Sequence, residues 1–125
     1  MATILIIDDN ATERDAVQRA LQKAGYSVLS ASDGTTGVEV ARKERPDLIL
    51  CDVDMPGLTG FETMNRLQGD ARTKSIPLVF ITGSVDAMAG KLGRKLGAEE
   101  YIEKPFSFSK LLAAVGSSLR KNDVS

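Results

Sequence analysis

Three short apolar runs, Ile4 to Ile7, Leu48 to Cys51 and Leu78 to Ile81, constrain this chain more than any other feature. Each is nearly continuous, with no alternation of apolar and polar positions. A strand with one wet face alternates, whereas a strand covered on both faces need not, and these runs are too short for buried helices. They read as strands of a parallel sheet with helices packed on either side. Helix-period stretches lie among them. Val17, Ala20, Leu21 and Ala24 form one stripe, stopped by Gly25. Val85, Met88, Ala89, Leu92 and Leu96 form another, stopped by Gly97, and Phe108, Leu111, Leu112, Val115 and Leu119 form the last. Weaker helices fit residues 34–44, ahead of Pro46, and 59–68, ahead of Gly69. Ser27 to Ser30 and Glu100 to Ile102 carry less apolar content and suit sheet edges. Strand followed by helix, five times over, calls for right-handed crossovers and a doubly wound α/β sheet.

Composition narrows the chemistry. A chain of 125 residues holds one core. Sixteen basic against 17 acidic residues leave a formal charge of -1, so there is no basic field to hold nucleic acid. The absence of histidine excludes a Ser/His/Asp triad, a Cys/His dyad, a His-ligated metal and phosphohistidine on this chain. The single cysteine, Cys51, excludes an internal disulfide, a redox pair and a four-thiolate zinc site, and reads as a small core hydrophobe. The first apolar run closes on Asp8, short of the roughly 7 to 15 residues of a signal peptide or the roughly 20 of a membrane span. The expectation is a cytoplasmic protein without membrane insertion. Residues 1–120 read as the domain and 121–125 as a polar tail or truncated linker.

What remains is chemistry by carboxylates, hydroxyls, amines and oxygen-ligated metal. Asp8 and Asp9 follow the first run, Asp52 the second with Asp54 two residues on, and Thr82 the third; Lys104-Pro105 follows the last strand. In open α/β sheets ligands bind outside the carboxyl ends of the strands, so four segments deliver these groups to one edge. Clustered carboxylates must bind protons or recruit a cation, and with oxygen ligands alone that cation is Mg2+. Lys104 would pair with a phosphoryl oxygen and the Thr82 hydroxyl would donate to another. The set reads as a phosphoryl-binding site with a carboxylate nucleophile.

Four motifs stand in order and at matching spacing: Ile-Leu-Ile-Ile-Asp8-Asp9-Asn10; Pro46-Asp47 through Asp52-Val-Asp54-Met55-Pro56-Gly57 to Gly60; Phe80-Ile81-Thr82-Gly83; and Tyr101-Ile-Glu-Lys104-Pro105-Phe106. Together they make the chain resemble the receiver domain of two-component response regulators over about residues 3 to 120. The resemblance implies a flavodoxin-like (βα)5 fold with strand order 2-1-3-4-5. It implies that Asp52 is the phosphoacceptor, that Asp9 ligates Mg2+ directly, that Asp8 acts partly through water, and that the Asp54 backbone carbonyl adds a further ligand. Thr82 matches the switch hydroxyl, Lys104 the phosphate-pairing lysine and Tyr101 the switch aromatic, and the Lys104-Pro105 bond is implied to be cis.

The partners implied are a histidine kinase or histidine phosphotransfer protein upstream and an effector protein or missing output domain downstream, with a phosphorylation-dependent dimer left open. Phosphorylation adds about -1.5 to -2 charges. It is expected to draw Thr82 inward, make room for Tyr101, and reshape the face made by the 85–96 helix, the Tyr101 strand and the last helix. Gly90 and Gly93 should leave the 85–96 helix the least stable of the five, each costing roughly 0.8 to 1 kcal/mol against Ala. A haloacid-dehalogenase-like phosphatase shares the Asp52-Val-Asp54 pattern, but its acidic pair comes last, and here Asp8-Asp9 come first. A flavin module would need a Ser/Thr/Gly-rich first loop in place of Asp8-Asp9-Asn10. A receiver-fold scaffold that no longer accepts phosphate is opposed by the intact Asp9, Asp52, Thr82 and Lys104.

Overall fold

The computed structural model describes residues 1–83 and 97–123, with side chains through Lys121. Strand β1 (Thr3–Ile7) leads through Asn10 into helix α1 (Ala11–Lys23), then β2 (Ser27–Ala31), α2 (Gly34–Glu44) and β3 (Leu48–Asp52). Helix α3 (Gly60–Gln68), strands β4 (Leu78–Thr82) and β5 (Glu100–Glu103), and helix α4 (Phe108–Asp123) complete the described chain. The five strands are parallel and lie in the order β2-β1-β3-β4-β5. The doubly wound sheet is the one the alternating pattern predicts, and the 2-1-3-4-5 order is the one the resemblance implies. The expected helix over 85–96, with Gly90 and Gly93, lies outside the described residues. Helix α4 runs on to Asp123, so the polar stretch that begins at Lys121 starts as helix.

The unbroken apolar runs have a simple cause. Side chains alternate across a strand, and here both faces are covered. Leu5, Ile7, Ile49, Cys51, Leu78 and Phe80 enter one core with Val38, Ala41, Met64 and Leu67 from α2 and α3. Ile4, Ile6, Leu48, Leu50, Val79, Ile81 and Ile102 enter the other with Val17 and Leu21 of α1 and Leu111 and Val115 of α4. Every residue of β3 and β4 is buried, whereas the outer strands β2 and β5 expose part of theirs. An edge-to-face pair between Phe61 of α3 and Phe80 of β4, centroids 5.1 Å apart, locks α3 to the sheet.

Local signals set the helix ends. The side chains of Asn10, Asp33 and Thr59 accept from the N–H of Glu13, Thr36 and Glu62, each supplying one partner to an otherwise unpaired first turn. At α3 the Glu62 carboxylate also accepts from Thr59 N–H, closing a capping box. Helix α1 gives way to Gly25 at φ 100°, a conformation that costs glycine nothing. Gly60 answers a different need. A Cβ there would lie 2.4 Å from the Asp52 carbonyl oxygen, so only glycine lets α3 start directly against the end of β3.

Candidate functional site

The carboxyl ends of β1, β3, β4 and β5 bring together the side chains that matter. Asp8 directly follows β1 and is only 2% exposed, while its neighbour Asp9 is exposed. The chain holds Asp8 inward by its backbone: Asp8 N–H donates to the Ala31 carbonyl at 3.1 Å, and the Asp8 carbonyl accepts from the Arg14 guanidinium at 2.7 Å. Asp52 ends β3 and is 6% exposed; its Oδ1 accepts from Asp54 N–H at 3.2 Å. Lys104 follows β5, and its Nζ donates to Asp52 Oδ2 at 3.1 Å. Its backbone N–H donates to the Thr82 carbonyl at 2.7 Å, so the lysine and the threonine are tied across neighbouring strand ends. The Lys104-Pro105 peptide is cis. Thr82 is buried at the end of β4, and Tyr101, half-buried on β5, packs against the α2/α3-side core.

Glu13 joins the site without having been expected there. Oxygens of Asp8, Glu13 and Asp52 all lie within 4.8 Å of one another, and Glu13 Oε1 forms an ion pair with Lys104 Nζ at 2.5 Å. Asp9 stands outside that trio, on the exposed side of the turn, as does Asp54. The sequence did hold a signal for Glu13, but an ambiguous one. Asn10-Ala11-Thr12-Glu13 has capping-box spacing, which would send the glutamate back to Asn10 N–H. That N–H instead donates to Asp8 Oδ1 at 2.9 Å, which leaves the Glu13 carboxylate available to the site.

The electrostatics follow from crowding. Burial, the contact with Glu13 and the nearby Asp52 charge push Asp8 up to about 7, against the pull of Asn10 N–H. Burial also lifts Asp52 above the ordinary carboxylate range, although Lys104 opposes it. Burial works against the Lys104 ammonium, but Glu13 and Asp52 outweigh it and keep the lysine firmly charged. Burial, with Asp52 and Asp8 adding to it, lifts the Cys51 thiol far above its usual range, so this cysteine is an inert part of the core. Three crowded carboxylates whose donor atoms are all oxygen make a set that fits a hard divalent cation.

Comparison with known proteins points the same way. The family model for the response regulator receiver domain matches residues 4–116. Protein PilH of Pseudomonas aeruginosa is 40% identical over 119 residues, covering 95% of this chain and 98% of PilH. The DNA-binding regulator RpaA of Synechocystis is 39% identical over 98% of this chain, which spans only 51% of RpaA. Among solved structures, chemotaxis protein CheY4 of Vibrio cholerae superposes with a TM-score of 0.89 at 34% identity, over 94% of this chain and 98% of CheY4. A putative response regulator from Chloroflexus aurantiacus gives 0.90 at 33% identity, over 95% and 98%.

Proposed function

This chain belongs to the response regulator receiver domain family, and from that premise we propose that it is a signalling switch that accepts a phosphoryl group on Asp52. Receivers are switches of two-component signalling rather than turnover enzymes. The observation that carries the assignment is the placing of Asp52: nearly buried at the end of a central strand, with an ammonium on one oxygen and further carboxylates beside it.

Asp8 and Asp52 would hold Mg2+, with Asp9 and the Asp54 backbone carbonyl completing the set from the exposed side. The ion, when bound, neutralises charge and orients phosphoryl oxygens. The rest falls to the chain. An Asp52 carboxylate oxygen forms the new P–O bond as the bond from phosphorus to the donor breaks; the donor leaves with that electron pair and takes up a proton. Lys104 pairs with one phosphoryl oxygen, and Thr82 donates its hydroxyl to another. The Thr82 carbonyl is bonded to Lys104 N–H, which keeps the two residues side by side at neighbouring strand ends. Tyr101, on the same strand edge, follows. Tyr101, Ile102, Glu103 and Lys110 line a groove of about 470 Å3 between β5 and α4, which fits the role of an output surface for an effector protein or output domain.

The donor is a histidine kinase or histidine phosphotransfer protein. A groove of about 610 Å3 between α1 and α4, lined by Thr12, Ala16, Arg19, Phe108 and Leu112, suits that encounter. Among the described residues no helix is long and apolar enough to cross a membrane. Small donors serve as a test. Intact-mass measurement after incubation with Mg2+ and acetyl phosphate should give a labile gain of one phosphoryl group, lost in Asp52→Asn. An equal gain in that variant would overturn the assignment.

A further inference from the structure

Lys104 has two anionic neighbours, and the nearer is not the nucleophile. Its Nζ lies 2.5 Å from Glu13 Oε1 and 3.1 Å from Asp52 Oδ2. Glu13 is not drawn back as a helix cap, because the N–H that a capping glutamate would take is already bonded to Asp8. We propose that Glu13 is a positioning residue that holds the Lys104 ammonium in the unphosphorylated chain and competes with the phosphoryl group for it. The inference rests on Asp52 being the phosphoacceptor.

An ammonium drawn outward to a phosphoryl oxygen on Asp52 gives up part of its close contact with Glu13. The phosphoryl group carries about -1.5 to -2 charges against a single charge on Glu13, so it wins the contest. Its gain is nonetheless reduced by whatever Glu13 gives up. Glu13 thereby sets how strongly the site retains its phosphoryl group, acting through Lys104 and touching neither donor nor phosphorus. Both partners are partly exposed, at 25% and 21%, which confines the effect to the range of half-screened ion pairs, about fivefold in an equilibrium constant.

The test is beryllofluoride affinity at saturating Mg2+, read by fluorine NMR, in wild type, Glu13→Gln, Lys104→Met and the double variant. Far-UV circular dichroism checks that each is folded. Glu13→Gln should bind about fivefold more tightly than wild type, and that gain should vanish in the Lys104→Met background. Glu13→Asp keeps the charge but shortens the reach, so it should bind like Glu13→Gln. An unchanged affinity in Glu13→Gln, or the same gain with and without Lys104, would overturn the inference, the latter by showing general relief of negative charge. If beryllofluoride failed to bind wild type at all, the phosphoacceptor assignment itself would fall, and this inference with it.

Discussion

Replacing Asp8 by Asn should stabilise the metal-free protein at pH 8 and weaken its response to Mg2+. The side chain is 2% exposed and its carboxyl is pushed from 3.8 up to about 7, chiefly by burial and then by Glu13. Below about pH 4 the carboxyl is protonated in both the folded and the unfolded chain, so it costs nothing. Between 3.8 and about 7 the unfolded chain releases its proton and the folded chain keeps it, so stability falls as pH rises; above 7 the loss is complete. At 1.36 kcal/mol per pH unit, that interval corresponds to about 4 kcal/mol. Asp8 is one of several close carboxylates whose mutual repulsion is only partly relieved by removing one of them, so about half of this, roughly 2 kcal/mol, should be recovered. Asparagine keeps the oxygen that accepts from Asn10 N–H, so the turn is preserved. For a domain of this size the gain is about 8 °C in melting temperature. Thermal melts with EDTA should show that gap at pH 8 and about half of it at pH 5.5. Added Mg2+ should raise wild type well above its EDTA value and the variant much less. A variant that melts at or below wild type at pH 8 without metal would show that the buried Asp8 charge costs the fold nothing.

Gly60→Ala should destabilise by about 1 to 3 kcal/mol in urea titration, because the new Cβ meets the Asp52 carbonyl oxygen at 2.4 Å; Gly69→Ala, whose nearest neighbour would be 3.5 Å away, should be tolerated. Thr59→Ala removes half of the α3 capping box and should cost about 1 kcal/mol. Asp33 sits below the usual carboxylate range because Thr36 N–H donates to it, so its stabilising effect is present above about pH 4 and is lost as pH falls through its folded value. Asp33→Asn should keep the cap and flatten that acid limb in pH-dependent melts. Thr82→Ala should still accept phosphate from acetyl phosphate by mass, while the Tyr101 ring resonances in NMR no longer shift on phosphorylation.

The central sheet was legible because burial on both faces leaves a plain mark: runs such as Leu48 to Cys51 cannot face water anywhere. The edges were legible for the opposite reason, though each runs one residue further than expected: β2 takes in the buried Ala31, and β5 ends on exposed Glu103, where main-chain pairing continues after side-chain burial ends. Four strand ends carrying Asp8, Asp52, Thr82 and Lys104 are brought to one edge by topology alone, and the Lys104 to Asp52 contact realises that convergence. The split between Asp8 and Asp9 was not legible. Adjacent aspartates look alike in sequence, and which one turns inward depends on the Ala31 and Arg14 contacts that grip Asp8. Glu13 was hidden by an equally ordinary alternative, a helix cap, and only the competition for Asn10 N–H decides between the two. A pattern within one helix cannot reveal a partner that arrives from β5.

The most direct measurement is a crystal structure of the protein soaked with Mg2+ and beryllofluoride. It should carry the fluoride group on Asp52, with Lys104 and the Thr82 hydroxyl turned to its fluorines and a cation between Asp8 and Asp52. An Asp52 carboxylate left bare under those conditions, still paired with Lys104 as now, would contradict the account at its centre.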